Sequence, residues 1–342
     1  MKIFKSEEAA FRAGMWIAAT MLRDENALIW CRANQVPLRK AQSEGIDSAG
    51  GFIVPVELNR AIQDTREAYG VARRCATVLP IASDVAHVPR KLGGNSAYFP
   101  GESGSITESE GPYDSVTLSV KKIAALSILS SELEEDSAID IAELVADAMG
   151  WAFAKKEDDC CFIGDGTSTY GGMKGISALA IDGNHTKGNV AATSTHKTFL
   201  TLDAGDLART IASIQASALQ NARWYCSTTA VGQTFARLAT YLPVMPVDGV
   251  PRQHYLGFPI IPTQSLPTAA TDINGQVMIV FGDLRRATIL GERRAIQMAR
   301  SAQRYFDSDQ IAIRGTERVD LVTHQLADNT NTGSLAALVG TT

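Results

Sequence analysis

The chain has 342 residues, 45% hydrophobic and 20% charged, with 28 glycines and 12 prolines; this is a globular composition that excludes a disordered or collagen-like polypeptide and has the length for more than one core. A formal net charge of -5 argues against a sequence-reading nucleic-acid binder, which presents a basic face, but not against a protein that encloses nucleic acid. No stretch reaches the roughly 18 to 20 unbroken apolar residues of a membrane span, and Glu7, Glu8 and Arg12 stand where a signal peptide is apolar, so a soluble protein made and used in cytoplasm is expected.

The first fifty residues read as an arm. In "SEEAAFRAGMWIAATMLRD", Phe11, Met15, Ala18, Ala19 and Leu22 recur at helical spacing and predict an amphipathic helix whose stripe must pack on something. "NQVPLRKAQSEGIDSAGG" is too polar and too rich in Gly, Ser and Pro for a core, and reads as a flexible connector. After Pro55 a helical run places Leu58, Ile62 and Ala68 on one side. From Ser83 to Ser127 the chain is rich in Gly, Ser and Thr, and Val116, Leu118 and Val120 alternate as in a strand. Two arms of about fifteen residues predict a hairpin projecting about 50 Å, with little core of its own and a need to lie on another surface.

The clearest helix spans about 138 to 161, roughly 36 Å, with Ser137 as its cap, Asp140 in the first turn, and Ile141, Leu144, Val145, Ala148 and Ala152 inward. Its "KKEDD" stretch, Lys155 to Asp159, reads as a solvated face. Beyond a polar stretch, Asp182 to His196, "DAGDLARTIASIQASAL" is a helix with Leu207, Ile211, Ile214 and Leu219 inward. "ARWYCSTTAVGQTFARLA" is a strand running into a helix, and "YLGFPIIPTQSLP" and "GQVMIVFGDL" are apolar strands. The tail from Gln310 alternates like strands again, and the whole predicts an α+β fold rather than a wound parallel sheet.

"CFIGDGTSTYGGMKGI", Cys161 to Ile176, holds five glycines in sixteen residues and invites a nucleotide reading. It fails the dinucleotide pattern, because Thr169 follows Gly164 and Gly166 where a third glycine is required and a helix precedes them. It fails the Walker pattern, because no lysine follows Gly172, and Asp165 would repel a phosphate. A helix stop built from residues able to take positive φ is expected. "GESGS" lacks the second glycine of a nucleophile elbow, since position 105 is Ser. The five histidines form no HxxxH or HxH pair, and the five cysteines form no CxxC unit, so reduced thiols are expected and no metal, cofactor or catalytic residue is assigned.

The order "GGFIVP" (Gly50 to Pro55), "DSVTLSVKKIAALSILSSELEEDSAIDI" (Asp114 to Ile141), "KKEDDCCFIGDGTSTYGGMKGI", "LGFPIIPTQSLP" and "FGDLRRATILGERRAIQM" resembles the major capsid proteins of tailed bacteriophages with the Hong Kong 97 fold. The resemblance covers nearly the whole chain from about residue 50. It implies an N-terminal arm (1–49), an E-loop hairpin (81–126), a P domain (50–80, 127–200 and 285–320, with the spine helix about 138–161) and an A domain (201–284 and 321–342). It implies a non-enzymatic virion protein, assembled in host cytoplasm as pentamers and hexamers of an icosahedral shell around double-stranded DNA. A portal, a scaffolding protein or maturation protease, and a decoration protein are the partners it suggests, with no membrane.

In that family the E-loop lies over a neighbour's P domain. Some of Glu102, Glu108 and Glu110 are then expected to pair between subunits with some of Arg285, Arg286, Arg293, Arg294, Arg300 and Arg304, the alternative being separate solvated surface charges. Some members join subunits by lysine–asparagine isopeptide bonds; here "GESGSITESEG" has no lysine and "YFDSDQIAIRGTE" no asparagine, so no cross-link is expected. Many relatives carry about a hundred scaffolding residues before the arm. This sequence starts almost at the arm, which is expected either of a cleaved product or of a protein whose scaffold is separate. An encapsulin-like compartment shell is the alternative reading, and a soluble enzyme the third, disfavoured by the failed motifs.

Overall fold

A computed structural model describes residues 4, 6–22, 24–36, 38, 51–52, 56–91, 99, 113–130, 138–269, 272–305 and 310–341. Two helices open it, α1 (Glu7–Ile17), extended by a π-helical turn Ala18–Leu22, and α2 (Glu25–Ala33). Ser6 caps α1 by accepting from the Ala9 N–H at 3.2 Å, and Asp24 caps α2 by accepting from Asn26 at 2.9 Å. Of the expected apolar stripe, Ala18 and Ala19 are buried and Met15 packs against the core, but Phe11 is not inward. Ala10, Ala13, Trp16 and Ile17 face inward, whereas Phe11 is exposed and stacks edge-on against Trp30 with ring centroids 5.2 Å apart. Most of the connector expected to be flexible lies outside the described residues.

Next come β1 (Gly51–Phe52), α3 (Val56–Tyr69), α4 (Ala72–Cys75), β2 (Thr77–Pro80), β3 (Val85–Lys91), β4 (Tyr113–Ser119), β5 (Lys121–Ser130) and the spine helix α5 (Ala138–Phe162). A five-stranded sheet runs in the order β1, β12 (Thr288–Tyr305), β13 (Gln310–Thr323), β5, with β2 parallel to β12. One face lies on the spine: Ile123, Ala125, Ile296, Met298 and Ile313 pack with Val145, Ala146, Met149 and Phe153. Gly315 permits this closeness, since a Cβ there would meet Met149 Sδ at 3.0 Å and the Phe153 ring at 3.2 Å. Trp16, Ile17 and Ala27 join the same core, so the stripe of the N-terminal helices finds its cover within this chain. The inward face of α5 is Val145, Ala146, Met149 and Phe153; Leu144 and Ala148, expected inward, are exposed, and Ser137 and the Ile141 side chain lie outside the described residues. In α3 the expected Leu58 and Ile62 are buried and Ala68 is exposed.

The hairpin is observed at its root, where β3 and β4 pair antiparallel from Val85↔Ser119 to Lys91↔Tyr113. At Val120 the chain leaves this pair, and β5 continues as the edge of the five-stranded sheet.

The second unit is a seven-stranded mixed sheet in the order β6 (Asn189–Ala191), β14 (Leu335–Val339), β11 (Val277–Gly282), β7 (Arg223–Cys226), β10 (Phe258–Pro262), β9 (Val250–Tyr255), β8 (Val244–Val247). Its central strands "VMIVFG" and "LAALV" are apolar without alternation because both faces are covered. Trp224, Met278, Phe281 and Leu338 belong to a core closed by α7 (Ala204–Ala212) and a helical run over 228–238. Tyr225, Val280, Leu335 and Ala337 belong to a second core that also takes Cys160, Cys161 and Phe162 from the spine's end and Leu290, Val319 and Leu321 from the other sheet. This shared core joins the two sheets. Between spine and β6 lies one short helix, α6 (Ile176–Ala180), and the short α8 (Leu284–Ala287) leads into β12.

Trp16 has no exposed surface. Trp16→Ala is expected to cost about 3–5 kcal/mol of stability, lowering the urea midpoint of the purified chain; an unchanged midpoint would mean that the N-terminal helices do not sit on the spine.

Candidate functional site

The "KKEDD" run is divided by the helix it lies on. Lys155 and Lys156 point outward over aromatic rings, 5.1 Å from the Trp151 centroid and 4.7 Å from that of Tyr170, but Glu157 and Asp158 are buried, which corrects the solvated reading. Glu157 is gripped by Arg66 of α3, and by Arg73 of α4 at 2.7 and 3.1 Å. Arg73 also reaches Glu292 of β12 at 2.8 Å. Arg66, itself without exposed surface, has Nη2 2.8 Å from Glu317 of β13, outside hydrogen-bond geometry, and its guanidinium sits 5.7 Å from the Phe153 ring centroid. Asp158 accepts from the backbone N–H groups of Ala72 at 2.7 Å and Val71 at 3.0 Å, which anchors the start of α4.

Five buried or half-buried charges therefore tie together α3, α4, the spine, β12 and β13. Burial pushes Glu157 up, yet the charges and hydrogen bonds of Arg66 and Arg73 outweigh it and hold the carboxyl below its ordinary range. Burial pushes Glu317 up to about 8 against the pull of Arg66, and it pushes Asp158 up to about 7 against its two backbone donors. With Glu317 protonated near neutral pH, two guanidiniums face two carboxylates and the cluster balances.

The sheet face opposite the spine has a different character. Register places Arg294 opposite Arg318 and Arg318 opposite Lys122, a row of three like charges across three strands. Asp84, at the root of the hairpin, takes Arg318 at 2.8 Å and also Arg293. Arg294 Nε is buried with no partner among the described residues, and burial together with the Arg318 and Arg293 charges holds its guanidinium below the ordinary range. Along β5 the same face exposes Leu126 and Ile128, with Arg314 across from Leu126.

Of the residues expected to pair between subunits, Arg293 and Arg294 thus stand on β12. Arg285 and Arg286 stand on α8, where Thr77 Oγ1 donates to the Arg285 carbonyl at 2.7 Å and Arg286 donates to the Ser217 carbonyl at 3.0 Å; neither forms an ion pair among the described residues. Glu102, Glu108 and Glu110, and the side chains of Arg300 and Arg304, lie outside the described residues.

The glycine loop is a closed excursion. Asp165 and Lys174 form an antiparallel bridge, Gly175 donates to the Gly164 carbonyl at 2.8 Å, and Gly171 and Gly172 turn the tip with φ of 63° and 82°. The loop, the spine and β5 enclose a groove of about 410 Å³ lined by Lys121, Lys122, Lys156, Leu126, Phe153 and Tyr170. All five cysteines are free and buried.

A cluster that sequence spacing did not show is His196, Asp203 and Asp206, whose ligand atoms approach within 4.8 Å of one another. Asp206 is buried and already accepts from the Thr193 N–H and hydroxyl, both at 2.8 Å, from the Asp203 N–H at 3.1 Å, and from Arg209; His196 Nδ1 lies 2.6 Å away. Burial would raise this carboxyl, but these donors hold it far below its ordinary range. The group acts as a clasp between the 193–196 turn and the capping box of α7.

Comparison with known proteins bears on the whole arrangement. The phage capsid family matches residues 50–325. A major capsid protein of Klebsiella oxytoca phage phiKO2 is 28% identical over 128 residues, 37% of this chain; the match spans 30% of that relative's length. Among solved structures, the capsid of a native GTA particle computed with C5 symmetry superposes with a TM-score of 0.58 at 16% identity, over 93% of this chain and 100% of that one. A protein of Mycobacterium phage Adephagia superposes with 0.54 at 16% identity, over 80% and 91%. At such identities the likeness is one of fold, and the α+β fold is of the Hong Kong 97 type.

The buried cluster predicts two opposite responses. Glu157→Gln leaves two guanidiniums short of their shared acceptor and is expected to cost about 3–5 kcal/mol. Glu317 keeps its proton in the folded chain up to about pH 8 and loses it near the ordinary value of 4.5 when unfolded, so it contributes a fall in stability as pH rises between those values. Glu317→Gln removes that slope: relative to wild type the variant gains stability from pH 5 to pH 8, by at most about 1.4 kcal/mol per unit. Urea unfolding at several pH values reads both, and a pH-independent difference would refute the assignment for Glu317.

Proposed function

The chain belongs to the phage capsid family, and from that premise we propose that it is the major capsid protein of a tailed double-stranded DNA phage, assembling as pentamers and hexamers into an icosahedral shell. The observation that carries this is the family match from residue 50 to 325, on a chain whose hairpin root packs Leu118 against Ile81 and Ile289. Its chemistry is association, with energy drawn from large repeated interfaces and not from a catalytic centre. The proposed division into arm, E-loop, P domain and A domain draws support from the hairpin β3–β4, the spine with its five-stranded sheet and the seven-stranded sheet, although β5 starts within the proposed E-loop and β6 of the seven-stranded sheet lies within the proposed P domain.

In this reading the acidic stretch with Glu102, Glu108 and Glu110 of one copy lies on the basic row of the next, where Arg294, Arg318 and Lys122 face one another. Like charges placed directly opposite destabilise a sheet, and an acidic segment across them relieves that repulsion. Arg293 and Arg318 share Asp84 within the chain, so Arg294 becomes the best-placed guanidinium of the predicted set. A portal, a scaffolding protein or protease and a decoration protein are further partners, and the enclosed DNA meets the wall through salt-sensitive phosphate contacts without sequence recognition.

Electron microscopy of the purified protein is expected to show closed shells, and a nuclease-protection assay on virions to recover DNA. Empty-handed protection with enclosed protein would favour a compartment shell, and small oligomers alone would defeat both readings. Denatured shells are expected to run as one band near 36.6 kDa, without a covalent ladder. Reversing Glu108 and Glu110 to Lys is expected to lower assembly yield, with partial rescue by Arg294→Glu; unaltered assembly would remove the pairing.

A further inference from the structure

A cavity of about 580 Å³ opens where the hairpin root, α8, the 182–188 turn and the loop after β13 meet. Its size is that of a small-ligand site. Arg90, Arg286, His185 and His324 line it, with one carboxylate, Asp328. The carboxylate is turned to its own loop: Oδ1 accepts from the Thr330 and Asn331 N–H groups at 2.6 and 2.5 Å, and Oδ2 from the Asn331 side chain at 3.1 Å. His185 is oriented by Asp182, 2.9 Å from its Nδ1.

The cations keep donors to spare. Arg90 gives Nη1 to the His324 carbonyl at 2.7 Å and Nη2 to Asp114 at 2.6 Å, which leaves a second hydrogen on each of these nitrogens. Burial and the Arg90 charge hold His324 below its ordinary range, so it stands in the wall as a neutral imidazole. Arg286 spends one nitrogen on the Ser217 carbonyl and forms no ion pair among the described residues. The walls are held in place by backbone bonds, Gln215 N–H to Gly333 at 2.9 Å, His324 N–H to Ala287 at 2.8 Å and Lys187 N–H to Asp328 at 3.1 Å.

We propose that this cavity binds a phosphate group, held by Arg286 and Arg90 with His185 and His324 completing the shell. Donors converge from four separate segments, so the ligand must present oxygens in several directions; a tetrahedral oxyanion does this and a planar carboxylate does not. Guanidinium forks suit phosphate oxygens, and the charge-assisted bonds they form are about twice as strong as neutral ones. Free phosphate and the phosphodiester of a nucleic acid share this chemistry.

Titration of the full-length protein with inorganic phosphate, followed by calorimetry at constant ionic strength in chloride, is expected to show saturable binding. Arg286→Gln is expected to weaken it about tenfold, the equivalent of one charge-assisted hydrogen bond. Thr332→Asp, an exposed position at the rim, is expected to weaken it as well by bringing a carboxylate to the mouth, while the melting curve stays that of wild type. Arg60→Gln, on the exposed side of α3, is the control and should bind as wild type. A short DNA duplex that displaces phosphate in an Arg286-dependent way would identify the nucleic-acid backbone as the source; a duplex that does not would identify free phosphate. Binding no better than chloride, or equal in wild type and Arg286→Gln, would overturn the proposal.

Discussion

Removing Arg66 from water is the constraint on which the rest of the architecture depends. A guanidinium with no exposed surface is costly to bury and tolerable only where carboxylates surround it. The Glu157 carboxylate must therefore arrive from the spine, Glu317 of β13, protonated near neutral pH, packs on the same guanidinium, and Arg73 and Glu292 bring α4 and β12 to the same point. Buried ion pairs add little net stability, because desolvation offsets their attraction. What they discriminate is arrangement. A shift of the spine by one residue against α3 would leave at least one full charge unpaired in the interior, so the cluster favours one register over its neighbours.

Around that fixed point the two sheets differ in how they meet the solvent. The central strands of the seven-stranded sheet are covered on both faces, while its outer strands β8 and β9 are largely exposed. The five-stranded sheet covers one face with the spine and leaves the other basic and partly apolar, on a chain whose overall charge is -5. Positive charge is concentrated on that sheet face, and the sequence concentrates negative charge in 101–110. In the proposed assembly each copy would carry both partners of one repeated contact.

Much of this was legible in the sequence, and the failures have physical causes. Elements with strong local signals were read correctly: the spine, α7, and the apolar strands β7, β10 and β11. Periodicity found Ala18, Ala19 and Val145 but missed other small residues that form the interface. Ala10, Ala13 and Ala146 pack closely precisely because they are small, whereas Phe11 and Leu144, which dominate a hydrophobicity pattern, stay outside. Arg66, Glu157 and Asp158 were invisible because their burial depends on one another, and charge in a helix reads as solvent exposure until its partner is known. The β8–β9 hairpin was missed under Pro243, Pro246 and Pro251, which speak against strands. Its signal was nevertheless present: Asp248-Gly249, with φ of 53° and 77°, is the two-residue turn that favours a tight hairpin. The row Arg294, Arg318, Lys122 requires three strands in register, which no local pattern encodes.

The passage from β4 to β5 carries a mechanical implication. The two strands are one continuous rod interrupted only at Val120, where its N–H donates to the Asp84 carbonyl at 3.0 Å and the preceding Ser119 N–H donates to the buried Asp320 at 2.5 Å. Asp320 belongs to β13 and Asp84 also holds Arg293 and Arg318, so this fulcrum is bolted to the sheet at both sides. A torque applied to the outer end of the hairpin would reach β5 as shear along the β5–β13 ladder, ten registered pairs long, instead of being absorbed by a slack loop. The hairpin is in this sense a lever whose short arm is an edge strand of the sheet, and in the proposed shell, with the hairpin laid on the next copy, each copy would feel the angle at which its neighbour is seated.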